Sequence, residues 1–82
     1  MKYDVQFKPG AVRDIEGLPS HIRARVLARI EEMSIDLKGE LKRLTNFTPE
    51  YRLRVRDYRV LFEIEGKMII IYRIRHRREA NR

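Results

Sequence analysis

Residues 51–62 alternate arginine with apolar residues, and this alternation constrains the fold more than any other feature of the chain. Successive side chains of a β-strand point to opposite faces of a sheet. The segment therefore predicts two strands, each with one apolar face and one face of fixed positive charge. Arginine keeps its proton at neutral pH and is costly to bury without a partner, so the charged face is expected to be accessible.

A two-residue turn at Arg56 and Asp57 gives these two strands a consistent register. The predicted pairs are Tyr51 with Phe62, Arg52 with Leu61, Leu53 with Val60, Arg54 with Arg59 and Val55 with Tyr58. A shift by one residue would mix apolar and charged side chains on both faces. The pairing places Arg54 directly opposite Arg59, and like charges held opposite each other repel. This favours an anion-binding role over a purely solubilising one.

Positive charge is concentrated in the second part of the chain. Residues 51–82 carry ten basic and four acidic side chains, whereas residues 1–50 carry nine and eight. Nine of those ten are arginines, whose planar set of donors suits phosphate. The distribution predicts a polyanionic partner, with nucleic acid as the first candidate. The longest apolar run, residues 68–72, is too short to cross a bilayer, and no signal peptide is recognised. With no cysteine, the chain is expected to be cytoplasmic, without membrane association.

The remaining patterns predict a single α+β domain over residues 1–82, in the order β-α-α-β-β-β. A strand over residues 1–7 is expected first, followed by a helix opened by Pro9. A second helix is expected to be capped by Ser20, to carry an apolar stripe from Ile22 to Leu37 and to end at Gly39. A loop over residues 41–49, the two hairpin strands, a last strand over residues 68–75 and a polar, mobile tail over residues 76–82 complete the prediction. The two helices are expected to cover one face of an antiparallel-rich sheet and to leave the other as a basic groove.

The second hairpin has two possible registers. A three-residue loop over residues 65–67 places Met68, Ile70, Tyr72 and Ile74 on the core face, and Ile69, Ile71, Arg73, Arg75 and Arg77 on the face of Arg54 and Arg59. A two-residue loop reverses this order unless a bulge restores it. We favour the three-residue loop because it gathers the arginines on one face.

The side chains in the basic region suit phosphate chemistry that uses no metal or other cofactor. The two histidines, His21 and His76, are far apart in sequence, and no metal-ligand spacing is present. In RNA cleavage the 2′-oxygen attacks the adjacent phosphorus, and guanidinium groups can stabilise the charge on the non-bridging oxygens. Arginine is a poor general base. His76 is the one conventional acid–base group in this region, and it is expected on the opposite strand face from Arg75 and Arg77.

Residues 51–64 and 71–80, with 37–39 and 41–44 upstream, resemble the RelE/ParE superfamily of bacterial and archaeal toxins, and the RelE branch in particular. The resemblance implies a RelE-like fold and the toxin of a toxin–antitoxin system. RelE-type members are mRNA interferases that enter the ribosomal A site and cut mRNA without a metal, leaving a 2′,3′-cyclic phosphate. The implied partners are the ribosome, mRNA, a cognate antitoxin with an acidic or amphipathic segment, and operator DNA bound only through that antitoxin.

The same resemblance assigns expected roles to individual residues. Arg59 matches the arginine that contacts the scissile phosphate, and Arg77 matches one that stabilises the transition state or acts as a general acid. Arg54, with Arg52, matches two basic positions of which one helps to activate the 2′-hydroxyl. The candidate catalytic residues are therefore Arg54, Arg59 and Arg77. The candidate RNA-binding residues are Arg52, Arg56, Arg73, Arg75, His76, Arg78 and Asn81.

Three departures from the family pattern affect these expectations. Arg52 and Arg54 stand where lysine is frequent, which weakens a mechanism with lysine as the base. Arg56 replaces a frequent turn glycine, and either strains the turn or adds a phosphate contact. Asn81 replaces a tyrosine that stacks on mRNA, so lower toxicity than that of an Asn81→Tyr variant is expected. Two other functions stay open: a ParE-type inhibitor of DNA gyrase, and a non-catalytic RNA-binding or co-repressor module.

Overall fold

The alternating segments form one five-stranded mixed sheet in the computed structural model. The structure describes residues 1–39, 41–44 and 49–80, apart from the side chains of residues 79 and 80. The elements are β1 (Asp4–Phe7), α1 (Pro9–Glu16), α2 (Ser20–Met33), β2 (Leu41–Arg43), β3 (Tyr51–Val55), β4 (Tyr58–Glu65), β5 (Met68–His76) and α3 (Arg77–Ala80). The strand order is β1-β5-β4-β3-β2, in which β1 runs parallel to β5 and the other neighbours are antiparallel. The predicted α+β class is confirmed.

The hydrophobic core lies between one face of this sheet and helices α1 and α2. In α2 the buried residues Val26, Ile30 and Met33 follow helical spacing, and Ala11 is the buried residue of α1. The sheet contributes Leu53, Val55, Val60, Phe62, Ile69, Ile71 and Ile74. Burial of this apolar surface is the main force that holds the helices on the sheet. The intervening strand residues consequently face away from the helices.

The first hairpin has the register predicted from the sequence. Tyr51 lies opposite Phe62, Leu53 opposite Val60 and Arg54 opposite Arg59, with Arg56 and Asp57 in the turn. Arg56 adopts a φ of +54°, in the left-handed region that disfavours side chains with a Cβ atom. The arginine at this position therefore carries a backbone penalty that a glycine would avoid.

The second hairpin differs from the favoured prediction, because its loop has two residues rather than three. Glu65 pairs with Met68, so Gly66 and Lys67 form the turn. A bulge then shifts the register: Phe62 pairs with Ile71, but Leu61 pairs with Arg73, which leaves Tyr72 as the extra residue.

This register corrects the predicted faces of several residues of β5. Ile69 and Ile71 lie in the core, contrary to the prediction, while Ile70 lies opposite Glu63 on the other face. The parallel strand β1 explains this placement, because its Val5 and Phe7, which contact the core, pair with Ile69 and Ile71. Beyond the bulge, Ile74 returns to the core. Arg73 and Arg75 are therefore on the opposite face, as predicted.

The ends of α2 also differ from the prediction. The helix begins at Ser20 with Pro19 in the cap position, and the Ser20 side chain makes no capping hydrogen bond. It ends at Met33, well before Gly39, because Asp36 and Leu37 have positive φ angles that no right-handed helix can include. Leu37 nevertheless packs against the core, which accounts for its place in the apolar stripe.

Parts of two other segments that were expected to be irregular form regular elements. Residues 41–43 of the predicted loop form β2, which pairs with Tyr51, Arg52 and Leu53 of β3. Residues 45–48 of that loop, including Phe47, lie outside the described residues. Where the tail was expected, His76 is the last residue of β5 and residues 77–80 form α3. Within the described part of the chain, no helix is long and apolar enough to cross a membrane.

Arg23 joins the two long helices. Its Nε donates to the carbonyl oxygen of Ile15 at 3.1 Å, and its Nη2 donates to that of Leu18 at 3.0 Å. These carbonyls belong to the end of α1 and the turn after it, where the backbone acceptors have no partners inside the helix. Arg23 thereby fixes the turn between the helices, and with it the position of α1 against β5.

Candidate nucleic-acid interface

Three arginines form a row across the sheet on the face opposite the helices. Arg54 of β3 pairs with Arg59 of β4, which pairs in turn with Arg75 of β5. Neighbouring strands lie about 4.8 Å apart, so the three side chains start side by side. Their chain neighbours, such as Val55, Val60 and Ile74, are buried under the helices, which fixes the arginines on the other face. We call Arg54, Arg59 and Arg75 the arginine row.

A second line of residues lies beside the arginine row and borders it. Its members, from β2 to β5, are Lys42, Arg52, Leu61 and Arg73. Arg52 is half-buried, whereas Lys42 is exposed. Farther along β4 on the same face is Glu63, with one carboxylate oxygen, Oε2, buried. Positive charge on this face is therefore greatest at the end near the Arg56 turn, and it decreases toward Glu63.

Asp14 of α1 holds Arg73 at the edge of the sheet. Arg73 donates from Nε to Asp14 Oδ2 at 2.8 Å and from Nη2 to Oδ1 at 3.2 Å. The backbone N–H of Ile74 also donates to Oδ2, at 2.9 Å, because β1 ends its pairing with β5 at Ile71. Burial raises the pKa of Asp14. The hydrogen bonds from Arg73 and Ile74, with the charges of Arg73 and Arg75, outweigh burial and hold that pKa below its ordinary value of 3.8.

Arg77 lies at the same end of the sheet as the hairpin turn. Its backbone N–H donates to the carbonyl oxygen of Asp57 at 2.7 Å, and its Nη1 lies 3.9 Å from Asp57 Oδ1. Both side chains are mostly exposed, so this ion pair is weak. The favoured register placed Arg77 on the last strand, on the face of Arg54 and Arg59. Instead, β5 ends at His76 and Arg77 is the first residue of α3. The turn contact brings it to the Arg54–Arg59 end of the face.

His76 lies on the helix-covered face, apart from the arginine row. It pairs with Tyr58, and the two rings meet edge-on with centroids 5.1 Å apart. Its Nδ1 accepts a hydrogen bond from the backbone N–H of Arg78 at 3.2 Å. The ring also lines a cavity of about 310 Å³ with Arg13 and Asp14. The predicted separation of His76 from Arg75 is thus confirmed, and its imidazole lies on the other side of the sheet from the arginine row.

Comparison with known proteins identifies the family. A sequence model of the ParE toxin of the type II toxin–antitoxin system, parDE, matches residues 5–81. Toxin RelE3 of Methanocaldococcus jannaschii is 37% identical to this chain over 79 residues, which cover 90% of each protein. The chain belongs to the RelE/ParE superfamily of toxins. It is a RelE-like toxin of a toxin–antitoxin module.

Two solved structures support the same family at the level of the fold. A chain of the RelB–RelE antitoxin–toxin complex from Methanococcus jannaschii is 34% identical, with a TM-score of 0.77 over 93% of this chain and 94% of that chain. A chain of the toxin–antitoxin complex RelBE2 from Mycobacterium tuberculosis is 28% identical, with a TM-score of 0.81 over 93% and 99%. The RelE/ParE toxin described here thus keeps the relatives' architecture over nearly its whole length.

The toxin's candidate residues fall into three groups by position. Arg54, Arg59 and Arg75 are together in the arginine row, and Arg52 borders it. Arg56, Arg77 and Arg78 lie around the hairpin turn and the start of α3, at the same end of the sheet. Arg73 is held by Asp14, His76 is on the other face, and Asn81 lies outside the described residues.

Sequence reasoning missed two residues that contribute to this site, Lys42 on the sheet face and Asp14 of α1. Lys42 was assigned to a loop, and the three-residue strand that carries it has no periodicity of its own. Asp14 contacts Arg73 across 59 positions of sequence, and no local pattern marks such a contact. A carboxylate in the helix that follows a strand is too common a feature to have indicated this role.

The arrangement can bind and polarise a phosphate, but it offers little for proton transfer. Arginine N–H groups donate in pairs to phosphate oxygens and retain their charge at any physiological pH. Among the described residues, no group of three or more His, Asp or Glu side chains could hold a metal ion. The chemistry available on this face is electrostatic stabilisation of a phosphate whose charge increases.

Proposed function

We propose that this RelE-like toxin is a ribosome-dependent endoribonuclease that cuts mRNA in the A site and so inhibits translation. The observation that carries the proposal is the arginine row, in which three guanidinium-bearing side chains stand side by side on rigid neighbouring strands. Neighbouring like charges repel, which favours binding of an anion, and an RNA strand supplies phosphates at regular intervals. The membership of this chain in a toxin family agrees with a target in translation.

In the proposed reaction the 2′-oxygen attacks the neighbouring phosphorus and the bond to the 5′-oxygen breaks. The 2′-hydroxyl loses a proton, the 5′-oxygen gains one, and the product is a 2′,3′-cyclic phosphate. Arg59, at the centre of the row, contacts the scissile phosphate, and Arg54 stabilises charge on a non-bridging oxygen and helps to activate the 2′-hydroxyl electrostatically. Loss of one such preorganised donor typically lowers kcat by about 10²–10³.

Arg77 supplies a further positive charge from the side of the hairpin turn. In the free protein it faces Asp57 across a long, exposed ion pair. A phosphate binds a guanidinium more strongly than an exposed carboxylate at this distance does. In the complex with RNA, the Arg77 side chain therefore contacts a phosphate instead of Asp57. Arg77 then stabilises the transition state or protonates the leaving 5′-oxygen.

Proton abstraction is the step to which the arginine face contributes least. His76 is on the other sheet face, so it acts as a support for the end of β5 rather than as the base. We propose that the ribosome presents the 2′-oxygen in line with its phosphorus, and that this orientation supplies much of the rate. The requirement for ribosomes follows from this division of roles.

The remaining arginines extend the RNA path on both sides of the scissile phosphate. Arg52, Arg56, Arg75 and Arg78 contact flanking phosphates, and Arg73 braces the edge of the groove through Asp14. Asn81 replaces the tyrosine frequent at this position, so the base at the site lacks a stacking partner. We therefore expect slower cleavage by this toxin than by its Asn81→Tyr variant.

A cognate antitoxin is the proposed protein partner. The two structural relatives described above come from toxin–antitoxin complexes. The net charge of +7 and the open arginine face favour an antitoxin segment that is acidic or amphipathic. Operator DNA is expected to be bound only through that antitoxin. Ribosomes and mRNA are the other partners, which places the toxin in the cytoplasm.

Primer extension on mRNA in a purified translation system tests the proposal. Codon-phased cuts that require ribosomes are expected for the unmodified chain and are expected to vanish in Arg59→Ala. Lys67→Ala is the matched control, because Lys67 is exposed in the turn at the opposite end of the sheet. Asn81→Tyr is expected to give more cleavage. Equal cutting by the unmodified chain and Arg59→Ala would contradict the assigned role of the row.

Inhibition of DNA gyrase is the second candidate, because the matching family model carries the ParE name. A gyrase inhibitor has no need for a row of arginines aimed at one phosphate. A supercoiling assay with purified gyrase is expected to show no effect at concentrations that cut mRNA. Inhibition of gyrase while mRNA stays intact would establish a ParE-type gyrase inhibitor. Binding of RNA without any cleavage product would establish a non-catalytic RNA-binding module.

A further inference from the structure

Four arginines from two elements line one open cavity of about 490 Å³ at the edge of the sheet. Arg25 and Arg29 come from α2, and Arg54 and Arg56 come from β3 and its turn. The cavity exists because β2 pairs only with residues 51–53 of β3, so the end of β3 near the turn extends past its neighbour. From sequence alone, Arg25 and Arg29 are expected to be ordinary solvent-facing residues.

The charges in this cavity are poorly compensated. Arg29 has one partner, Glu32, with Nε and Oε1 3.4 Å apart and the glutamate side chain 64% exposed. Within the described part of the chain, Arg25, Arg54 and Arg56 form no ion pair or hydrogen bond. Each described residue that lines the cavity is an arginine. Four converging cations raise the local potential and attract an anion of several charges.

We propose that this cavity is a second phosphate-binding site, which takes the backbone of an RNA strand beyond the arginine row. Arg54 belongs to both sites, as the end of the row on β3 and as one wall of the cavity. A single strand that leaves Arg54 can therefore pass directly from the sheet face to α2. The left-handed backbone of Arg56, with a φ of +54°, is a cost that a functional side chain at this position explains.

RNA suits the cavity better than a protein segment does. A bound amphipathic helix needs apolar contacts for its anchor residues. The described lining offers guanidinium groups alone, which match phosphate oxygens in charge and geometry. The inference rests on the proposed function only in taking RNA as the natural ligand, since binding can be measured without cleavage.

The test is binding of a labelled, unstructured single-stranded RNA, followed by fluorescence anisotropy over a range of salt concentrations. The variant Arg25→Gln/Arg29→Gln removes two charges from the cavity and leaves the arginine row intact. The matched control is Lys2→Gln/Lys67→Gln, which removes two exposed charges at the opposite end of the sheet. Thermal unfolding of both variants verifies that they are folded.

The cavity variant is expected to bind RNA more weakly and to lose about 0.7 in the slope of log K against log salt for each phosphate contact removed. The control is expected to keep the slope of the unmodified chain. Equal slopes for the two variants would overturn the inference, as would weaker binding of poly-glutamate with RNA binding unchanged. Neither result bears on the cleavage assay with Arg59→Ala, so failure here and failure of the proposed function are distinguishable.

Discussion

Substitutions of Asp14 are predicted to destabilise the fold, because its carboxylate connects α1 to Arg73 and to the edge of β5. Replacement by alanine removes both hydrogen bonds to Arg73 and leaves the N–H of Ile74 without its acceptor. Replacement by asparagine removes the charge but keeps an oxygen that can accept from Ile74. The two substitutions therefore separate the ion pair from the backbone contact.

The structure sets the scale of these effects. The side chain of Asp14 is 18% exposed and that of Arg73 is 42% exposed, so solvent weakens the pair. After this discount the pair contributes about 1 kcal/mol to the free energy of unfolding. Leaving the N–H of the buried Ile74 unpaired adds about 1–2 kcal/mol. Asp14→Asn should cost about 1 kcal/mol and Asp14→Ala about 2–3 kcal/mol, and each kcal/mol corresponds to about 4–8 °C in Tm for a domain of this size.

Urea unfolding at neutral pH measures these costs, and a double-mutant cycle with Arg73→Met isolates the ion pair. Asp14→Asn is expected to cost less in the Arg73→Met background, with a coupling of about 1 kcal/mol. Equal losses for the alanine and asparagine variants would refute the role assigned to the Ile74 N–H. Absence of coupling would refute the contribution assigned to the ion pair.

The same residue predicts the pH dependence of stability. The folded-state pKa of Asp14 lies below 3.8, because the bonds and charges of its partners outweigh the effect of burial. Stability from a carboxylate with a depressed pKa is complete above the unfolded pKa and is lost as pH falls through the folded pKa. The advantage of the unmodified chain over Asp14→Asn should therefore be constant near neutral pH and shrink as pH falls below 3.8. An advantage that grows on acidification would contradict the sign.

Four further substitutions test the frame that supports the site. Arg23→Ala should lower the free energy of unfolding by about 1–2 kcal/mol, since the carbonyl of Ile15 in α1 and that of Leu18 in the following turn lose their donor; urea unfolding measures it. Gly39→Ala should lower Tm more than Gly66→Ala: both glycines have positive φ, +122° and +60°, but only at Gly39 would a Cβ meet a neighbour, 2.9 Å from Leu53 Cδ1. Arg56→Gly should raise stability by up to about 1 kcal/mol by relieving the left-handed backbone, yet weaken RNA binding in the anisotropy assay; a loss of stability would show that the turn carries no strain.

The first hairpin could be predicted from sequence because its two faces differ in chemistry. A shift of one residue would have placed Arg54 or Arg59 in the core, so a single register was acceptable. The Arg54–Arg59 part of the arginine row followed directly from that parity, whereas the place of Arg75 depends on the second hairpin. The placement of His76 on the sheet face opposite Arg75 followed as well, once the strand was taken to continue that far.

The second hairpin could not be predicted in the same way. Residues 68–72 are apolar at each position, so alternation carries no information about which side faces the helices. Parallel pairing with β1 settles the faces of Ile69 and Ile71, and a bulge at Tyr72 then restores the arginines. The end of α2 was missed for a related reason, since Leu37 contacts the core from outside the helix. Both errors come from tertiary contacts that no local pattern records.

The position of β5 in the sheet has a consequence for synthesis of the toxin. This strand lies between β1 and β4, supplies Arg75 to the row and presents the edge that Asp14 covers, yet it is translated after every other strand. Its parallel contacts with β1, such as Val5 with Ile69, close a loop of nearly the whole described chain, so they form late in folding. A nascent chain that lacks β5 has neither a closed core nor a complete arginine row. A ribosome that translates this protein is therefore not exposed to the folded form of its own product until β5 has emerged.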